Sequence, residues 1–226
     1  MVNTTLRDIS RKLPENRLAA LHEELEFYRR VVNQERKDKN KIYSLHEPHV
    51  LCISKGKEHK KYEFGNKVAV AITKTSCIIV GVKSFKTNVY DGDTLDELLP
   101  QIKEIRGSAP RAAYCDRGFR GRKQVGETEI ILPDAPSPKA SQYEKSRARK
   151  NFRRRSAIEP VIGHLKKTFR LARNYLKGTI GDEINLLLAA AAFNFKKWMN
   201  AFAERLLFAL FFLFGLSHKK EGKALS

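Results

Sequence analysis

The chain has 226 residues, 42% of them hydrophobic and 31% charged, with a formal net charge of +19 at pH 7 and a pI near 10.0. There are enough apolar residues to bury a core, which excludes wholesale disorder. A charge so far from zero makes a folded chain repel itself, and it points to a polyanionic partner, nucleic acid first, or to an anionic membrane surface.

In chain order, the opening MVNTTLRDISRKL lacks the apolar stretch of a secretory signal. Leu18, Leu21, Leu25, Tyr28 and Val32 recur at three- and four-residue steps and predict a helix over 15–35. The polar run QERKDKNK (34–41) is a loop or linker. HVLCIS (49–54), KVAVAIT (67–73) and CIIVGVKSF (77–85) are short and rich in β-branched residues, so they predict strands. TSCI between the last two predicts an antiparallel hairpin.

Thr94 is placed to cap a helix whose apolar face is Leu95, Leu98, Leu99, Ile102 and Ile105, with Gly107 and Pro110 ending it. RAAYCDRGF (111–119) starts as a strand and breaks at Gly118, and TEIILPD (128–134) is another strand. A basic loop (135–150) leads into a helical pattern running from 151 to about 216, followed by a polar tail. A helix between strands predicts an α/β fold, a mixed sheet with helices packed on it.

Three cysteines, Cys52, Cys77 and Cys115, form no CxxC pair, so neither a zinc site nor a disulfide framework is indicated, which suits a reducing cytoplasm. The apolar run LLFALFFLFGL (206–216) is far shorter than the roughly 20 residues that span a bilayer. It is expected to be a buried or partner-packed helix, with no stable membrane association.

Two carboxylates stand out. Asp116 follows the apolar strand AAYC and precedes a glycine turn, a common catalytic position in α/β sheets and also a common place for a turn aspartate. Glu159 lies in NFRRRSAIEPVIGHLKKTF (151–169), among cations. On one straight helix Phe152, Arg155, Glu159, Gly163, Lys166 and Arg170 would share a stripe roughly 80° wide. Pro160 disfavours helical geometry at Glu159, so the helix is expected to kink or restart there. An ordinary charged face would carry Arg155 and Glu159 as an i,i+4 pair worth a few tenths of a kcal/mol, on the order of other helix pairs. Two carboxylates from separate elements could instead hold Mg²⁺, and a two-metal site about 4 Å across cleaves phosphodiesters. Nearby cations would grip phosphates. Lys55, Lys57, Lys60 and Lys61 around Gly56 are further phosphate candidates, or else the soluble rim of a hairpin.

The stretch RKNFRRRSAIEPVIGHLKK resembles the signature of bacterial insertion-sequence DDE transposases: an aromatic, two residues, Arg, three residues, Glu, six residues, Lys. Here these are Phe152, Arg155, Glu159 and Lys166, with Phe152 where the family usually has tyrosine. YCDRGFRG (114–121) is similar to the family's second-aspartate motif. SLHEPHVLCISKGKEHKKYEFGNKVAVAIT (44–73) and TNVYDGDTL (87–95) resemble other stretches of it, with Asp93 where histidine is typical. The resemblance covers roughly residues 5–200 and implies an RNase H-like fold, Mg²⁺-dependent DNA cleavage and strand transfer, and the ends of a mobile element and its target as DNA partners. It makes Asp116 and Glu159 the second and third catalytic, metal-binding acids. It places Arg155 and Lys166 against DNA. Phe152, Arg153, Arg154, Lys55 and Lys57 join them as candidate DNA contacts, the basic ones on their charge.

The family's first acid lies on an upstream strand, in a motif like Val-Asp-x-Thr, and its N-terminal DNA-binding domain also lies upstream. The expectation is therefore a C-terminal transposase piece from a split or decayed gene. Residues 1–41 would be a helical segment of a family insertion, 42–200 an RNase H-like core lacking its first strand, and 201–226 an apolar helix and polar tail. Such a piece should cleave little alone and could work with an upstream-encoded half or an intact transposase. The alternatives are a non-catalytic DNA-binding remnant that interferes with an intact enzyme, and a basic membrane-associated protein using 206–216.

Overall fold

A computed structural model describes residues 1–54, 58 and 61–213. The chain divides into two compact units, Met1–Gly65 and Asn66–Ser226.

The first unit contains helices α1 (Val2–Lys12) and α2 (Glu15–Asn33), then strands β1 (Leu51–Ser54) and β2 (Tyr62–Gly65). Pro14 starts α2, where its missing N–H costs nothing. Leu6 and Leu25 are buried, and Arg29 of α2 donates to Ser10 Oγ of α1 at 2.7 Å. After α2 the chain is held locally by Gln34, whose side-chain amide exchanges hydrogen bonds of 2.9 and 3.0 Å with the backbone of buried Ile42. β1 and β2 pair antiparallel, with Leu51 opposite Gly65 and Ser54 opposite Tyr62. YEFG was not foreseen as a strand, since its Glu and Gly hide the period of two.

The second unit is built on the antiparallel hairpin of β3 (Lys67–Ile72) and β4 (Ile79–Phe85), closed by Cys77 in a left-handed conformation (φ 49°). It continues through a 3₁₀ turn (Asp91–Asp93) into α3 (Thr94–Arg106), which Gly107 ends in the left-handed conformation (φ 78°). Then come β5 (Ala112–Tyr114), a 3₁₀ turn (Arg117–Phe119), β6 (Gln124–Val125), β7 (Thr128–Ile131), α4 (Gln142–Ser156), α5 (Ile158–Lys167) and α6 (Gly178–Leu213). β7 lies between β5, parallel to it, and β6, antiparallel. The expected mixed sheet is thus present as small ladders, a three-stranded mixed one and two hairpins, and not as one continuous sheet.

β4 is covered on both sides. Ile79 and Val82 pack with Val161 and Leu165 of α5 and Leu186, Ala189, Ala190 and Phe193 of α6. On the other side Leu95, Leu98, Leu99 and Ile102 of α3 pack with Cys115 and Ile130. Gly81 allows the close approach of α3, because an added Cβ would lie 2.7 Å from Ile102 Cγ1. Ile105, expected on the buried face of α3, is 69% exposed.

Two expectations about the helices need correction. The pattern from 151 to about 216 is not one helical run: α5 ends at Lys167, and residues 168–177 form turns before α6 begins. Arg170 leaves the helical stripe altogether, with φ 56°, while Leu171 N–H closes back on Leu165 O at 3.0 Å. The break at Glu159–Pro160 is real but sits slightly earlier, at Ala157, so both residues fall in the first turn of α5, where a proline is tolerated.

Asn194 clamps α6 to the start of β4, its side chain accepting from Ile79 N–H and donating to Ile79 O, both at 2.8 Å. Asn194→Ala is expected to destabilise the chain by about 1–3 kcal/mol through the orphaned strand backbone, read by urea unfolding.

Candidate functional site

The two acids arrive from different elements. Asp116 follows β5 and caps the 3₁₀ turn after it, its Oδ1 accepting from Gly118 N–H at 2.8 Å. Glu159 stands in the first turn of α5. Both carboxylates face the guanidinium of Arg155, the last basic residue of α4. Its Nη1 pairs with Glu159, and its Nη2 lies 3.9 Å from Asp116 Oδ2. The side chains of Asp116, Arg155 and Glu159 are 47, 33 and 59% exposed, so the cluster is open to a large ligand.

α4 is a basic helix with no buried residue, started by a capping box in which Ser141 and Glu144 bond each other's backbone. Those bonds, the backbone one first, hold the Glu144 carboxyl below its usual range. What joins α4 to β5 is Arg154. It donates to Tyr114 Oη at 2.6 Å, and its guanidinium sits 5.1 Å from the centre of the Tyr114 ring. The sequence offered Arg154 only as a phosphate contact. The link to Tyr114 was not legible, because nothing in the local pattern pairs residues so far apart.

The other predicted residues are spread along the same helices. Phe152 is 38% exposed. Arg153 on α4 and Lys166 on α5 are exposed. His164 is exposed, with its ring 6.4 Å from that of Phe193. Lys55, Lys57 and Lys60 lie outside the described residues, as does the end of the 206–216 run.

A third carboxylate was missed as part of this cluster. This is Asp91, in the TNVYDGDTL stretch that leads into α3. Its Oδ1 pairs with Lys67 at 2.5 Å, and its Oδ2 lies against Gly118, where an added Cβ would collide with it and come within 3.0 Å of Asp116 Oδ1. Asp91 and Asp116 thus flank one glycine. The available signal was the glycine itself, two residues after the acid. Arg122 forks between Asp93 (2.5 Å) and Asp96 (2.8 Å), and these bonds, Asp96 first, raise its pKa. Cations thus offset the acids of the cluster, Lys67 at Asp91 and Arg155 between Asp116 and Glu159, while Asp91 and Asp116 stand as like charges on either side of Gly118. Among the described residues no group of three or more His, Cys, Asp or Glu side chains converges on a point that could hold a metal ion. Asp116 and Glu159 do supply hard oxygen donors. A small divalent cation commonly binds through one or two carboxylates and completes its shell with water and substrate phosphate, so this pair fits such an ion.

A family model described as a transposase DDE domain matches residues 28–195. That is most of the chain, and the chain belongs to that family. The family acts on DNA and generally uses divalent metal ions. No curated protein and no solved structure matches significantly. Among the described residues no helix is long and apolar enough to cross a membrane.

Two outcomes are expected from this geometry. Gly118→Ala should destabilise by about 0.5–1 kcal/mol, since the Asp91 carboxylate must swing aside and loosen its pairing with Lys67, and should cost less in an Asp91→Ala background, a coupling read from a double-mutant cycle of urea midpoints. Burial, helped by the neighbouring Asp116 carboxylate, pushes the Cys115 thiol up from 9.0 to about 12. The thiol is therefore favoured in its neutral form in the folded chain. The stability this contributes is fully present below pH 9.0 and lost as pH rises towards about 12. Across that window wild-type stability should fall more steeply than that of Cys115→Ala.

Proposed function

We propose that the chain is part of an insertion-sequence DDE transposase that binds the element ends and target DNA, with Asp116 and Glu159 as its second and third acids. The observation that supports the reading most is the sharing of the Arg155 guanidinium by both carboxylates, which come from the end of a strand and the start of a helix. In this reading the fold is RNase H-like, with residues 42–200 as its core, 1–41 as a helical segment of an insertion, and 201–226 as an apolar helix and polar tail. The protein works in the cytoplasm, where its DNA is.

Asp116 and Glu159 would hold Mg²⁺ through their oxygens. When bound, that ion supplies Lewis-acid activation of a phosphodiester and of the attacking water or hydroxyl. Arg155 balances the acid pair and is open enough to bond a phosphate oxygen as well. Lys166, Arg153, Arg154, Lys55 and Lys57 add phosphate contacts, and the Phe152 ring packs against DNA. In this reading Asp91, held by Lys67, is not the first acid of the set, which the family resemblance puts on a separate strand. We place that acid on an upstream-encoded transposase half or an intact transposase, and read the chain alone as poorly active. A second reading, a DNA-binding chain that does not cleave and competes with an intact enzyme, is favoured by the +19 charge, which needs no acid to act.

The test uses element-end DNA. Affinity should fall about 1,000-fold between roughly 50 and 200 mM salt, as counterion release at many phosphates requires. Mg²⁺-dependent nicking should be weak for the chain alone and appear when the acid-bearing partner is added. It should then drop by about 100-fold or more in Asp116→Asn and in Glu159→Gln, the scale for losing a group that acts on the transition state, with DNA affinity kept. Nicking by the chain alone at the rate of a complete transposase would refute the missing acid. Full activity in Asp116→Asn would refute the site. A nicking-silent mixture that still binds DNA would select the second reading.

A further inference from the structure

Helix α6 has two apolar faces. Leu186, Ala189, Ala190 and Phe193 are buried in the core. On roughly the opposite side, at 100° per residue, a second stripe runs from Leu188 to Leu213 in steps that alternate between four and three residues. Its large members are Leu188, Phe195, Met199, Phe202, Leu206 and Leu213, each between 51 and 75% exposed. Ala192 and Ala209 are its small ones, also exposed. A 3.5-residue spacing is the seam of a coiled coil, which exists to receive the side chains of another helix. Half or more of each large side chain lies open, so the seam offers roughly 800 Å² per helix, about what one partner contributes to a stable interface.

Charge and shape select the occupant. α6 carries Asp182, Glu183 and Glu204 against Lys196, Lys197 and Arg205, so it is neutral within a chain of +19. Two copies can align along it without the repulsion that the rest of the chain would impose. An anionic lipid surface would call for a polar face rich in lysine and arginine, which α6 does not have. The stripe is also complementary to itself when reversed. Setting Leu188 opposite Leu213 brings Ala192 opposite Ala209, Phe195 opposite Leu206 and Met199 opposite Phe202, so small meets small and large meets large. A self-complementary patch is the signature of a two-fold interface. Leu207 and Phe208, 54 and 68% exposed beside the stripe, widen the contact.

We propose that the α6 seam pairs two copies of this chain as antiparallel helices. The segment beyond residue 195 lies outside the transposase DDE domain match, and the pairing does not rest on the DNA chemistry proposed above.

The test is sedimentation equilibrium of the full chain, free of DNA, in high salt across the micromolar range. A dimer is expected. Phe202→Glu and Leu206→Glu should each weaken it at least about 100-fold, the scale of burying an unpaired charge in an apolar seam. Ile105→Glu, at an exposed apolar position on α3, should leave it unchanged. The seam variants should keep the wild-type helical content by circular dichroism. Independently, a chain carrying Leu188→Cys and Leu213→Cys should form a disulfide between copies. A wild-type chain that stays monomeric, a dimer indifferent to both glutamates, a larger seam-dependent oligomer, or a monomer that floats with neutral lipid vesicles would each overturn the proposal.

Discussion

Strand β4 carries apolar side chains towards both of its faces, and this forces a helical layer onto each. On one side α5 and α6 close over Ile79 and Val82; on the other α3 closes over Gly81, close enough that no side chain would fit there. Two polar side chains fix the layers in register. Asn194 bonds both backbone groups of Ile79, and Gln101 of α3 accepts from Val82 N–H at 2.9 Å. The placement of the acids follows from these two layers. Cys115 is buried in the α3 core and Asp116 comes next in the chain; Val161 is buried in the α5–α6 core and Glu159 stands just before it. Each carboxylate is thus held by a neighbour in a different core, and the two cores meet across one strand.

Electrostatics then sets the local arrangement. Two carboxylates brought together repel, and Arg155 between them removes the repulsion. Lys67 does the same for Asp91 on the other side of Gly118. Exposed ion pairs of this kind contribute only about 0–1 kcal/mol each, so stability does not explain the convergence of so many charges. The function proposed above would supply a reason, since a site that meets both a cation and a phosphate needs groups of both signs within reach of one ligand.

Much of this was legible in the residues and some was not. The β3–β4 hairpin followed from two β-branched runs joined by TSCI, and α3 from its leucine period and Gly107. These features are local, and local chemistry decided them. The helix break before Glu159 was also visible, since a proline allows few geometries. What escaped was decided by long-range packing. The two-residue strand β6 exists only because β7 offers it a partner. Arg154 settles on Tyr114, and Asp91 on Lys67, because the fold brings distant elements together. The loop at 168–177 was hidden by apolar residues, such as Phe169 and Leu171, that mimic a helical period while packing against the core from irregular backbone. The spacing of Phe152, Arg155, Glu159 and Lys166 pointed to the candidate site, but that spacing could not reveal that one arginine faces both acids.

That Asp116 and Glu159 belong to one site can be tested most directly by covalent linkage. In a chain carrying Asp116→Cys and Glu159→Cys, with Cys52→Ser, Cys77→Ser and Cys115→Ala, a short bis-maleimide should join the two positions within one folded molecule. The linkage should be lost in urea. Modification of both thiols without any intramolecular link in the folded chain would show that the two side chains do not share a site.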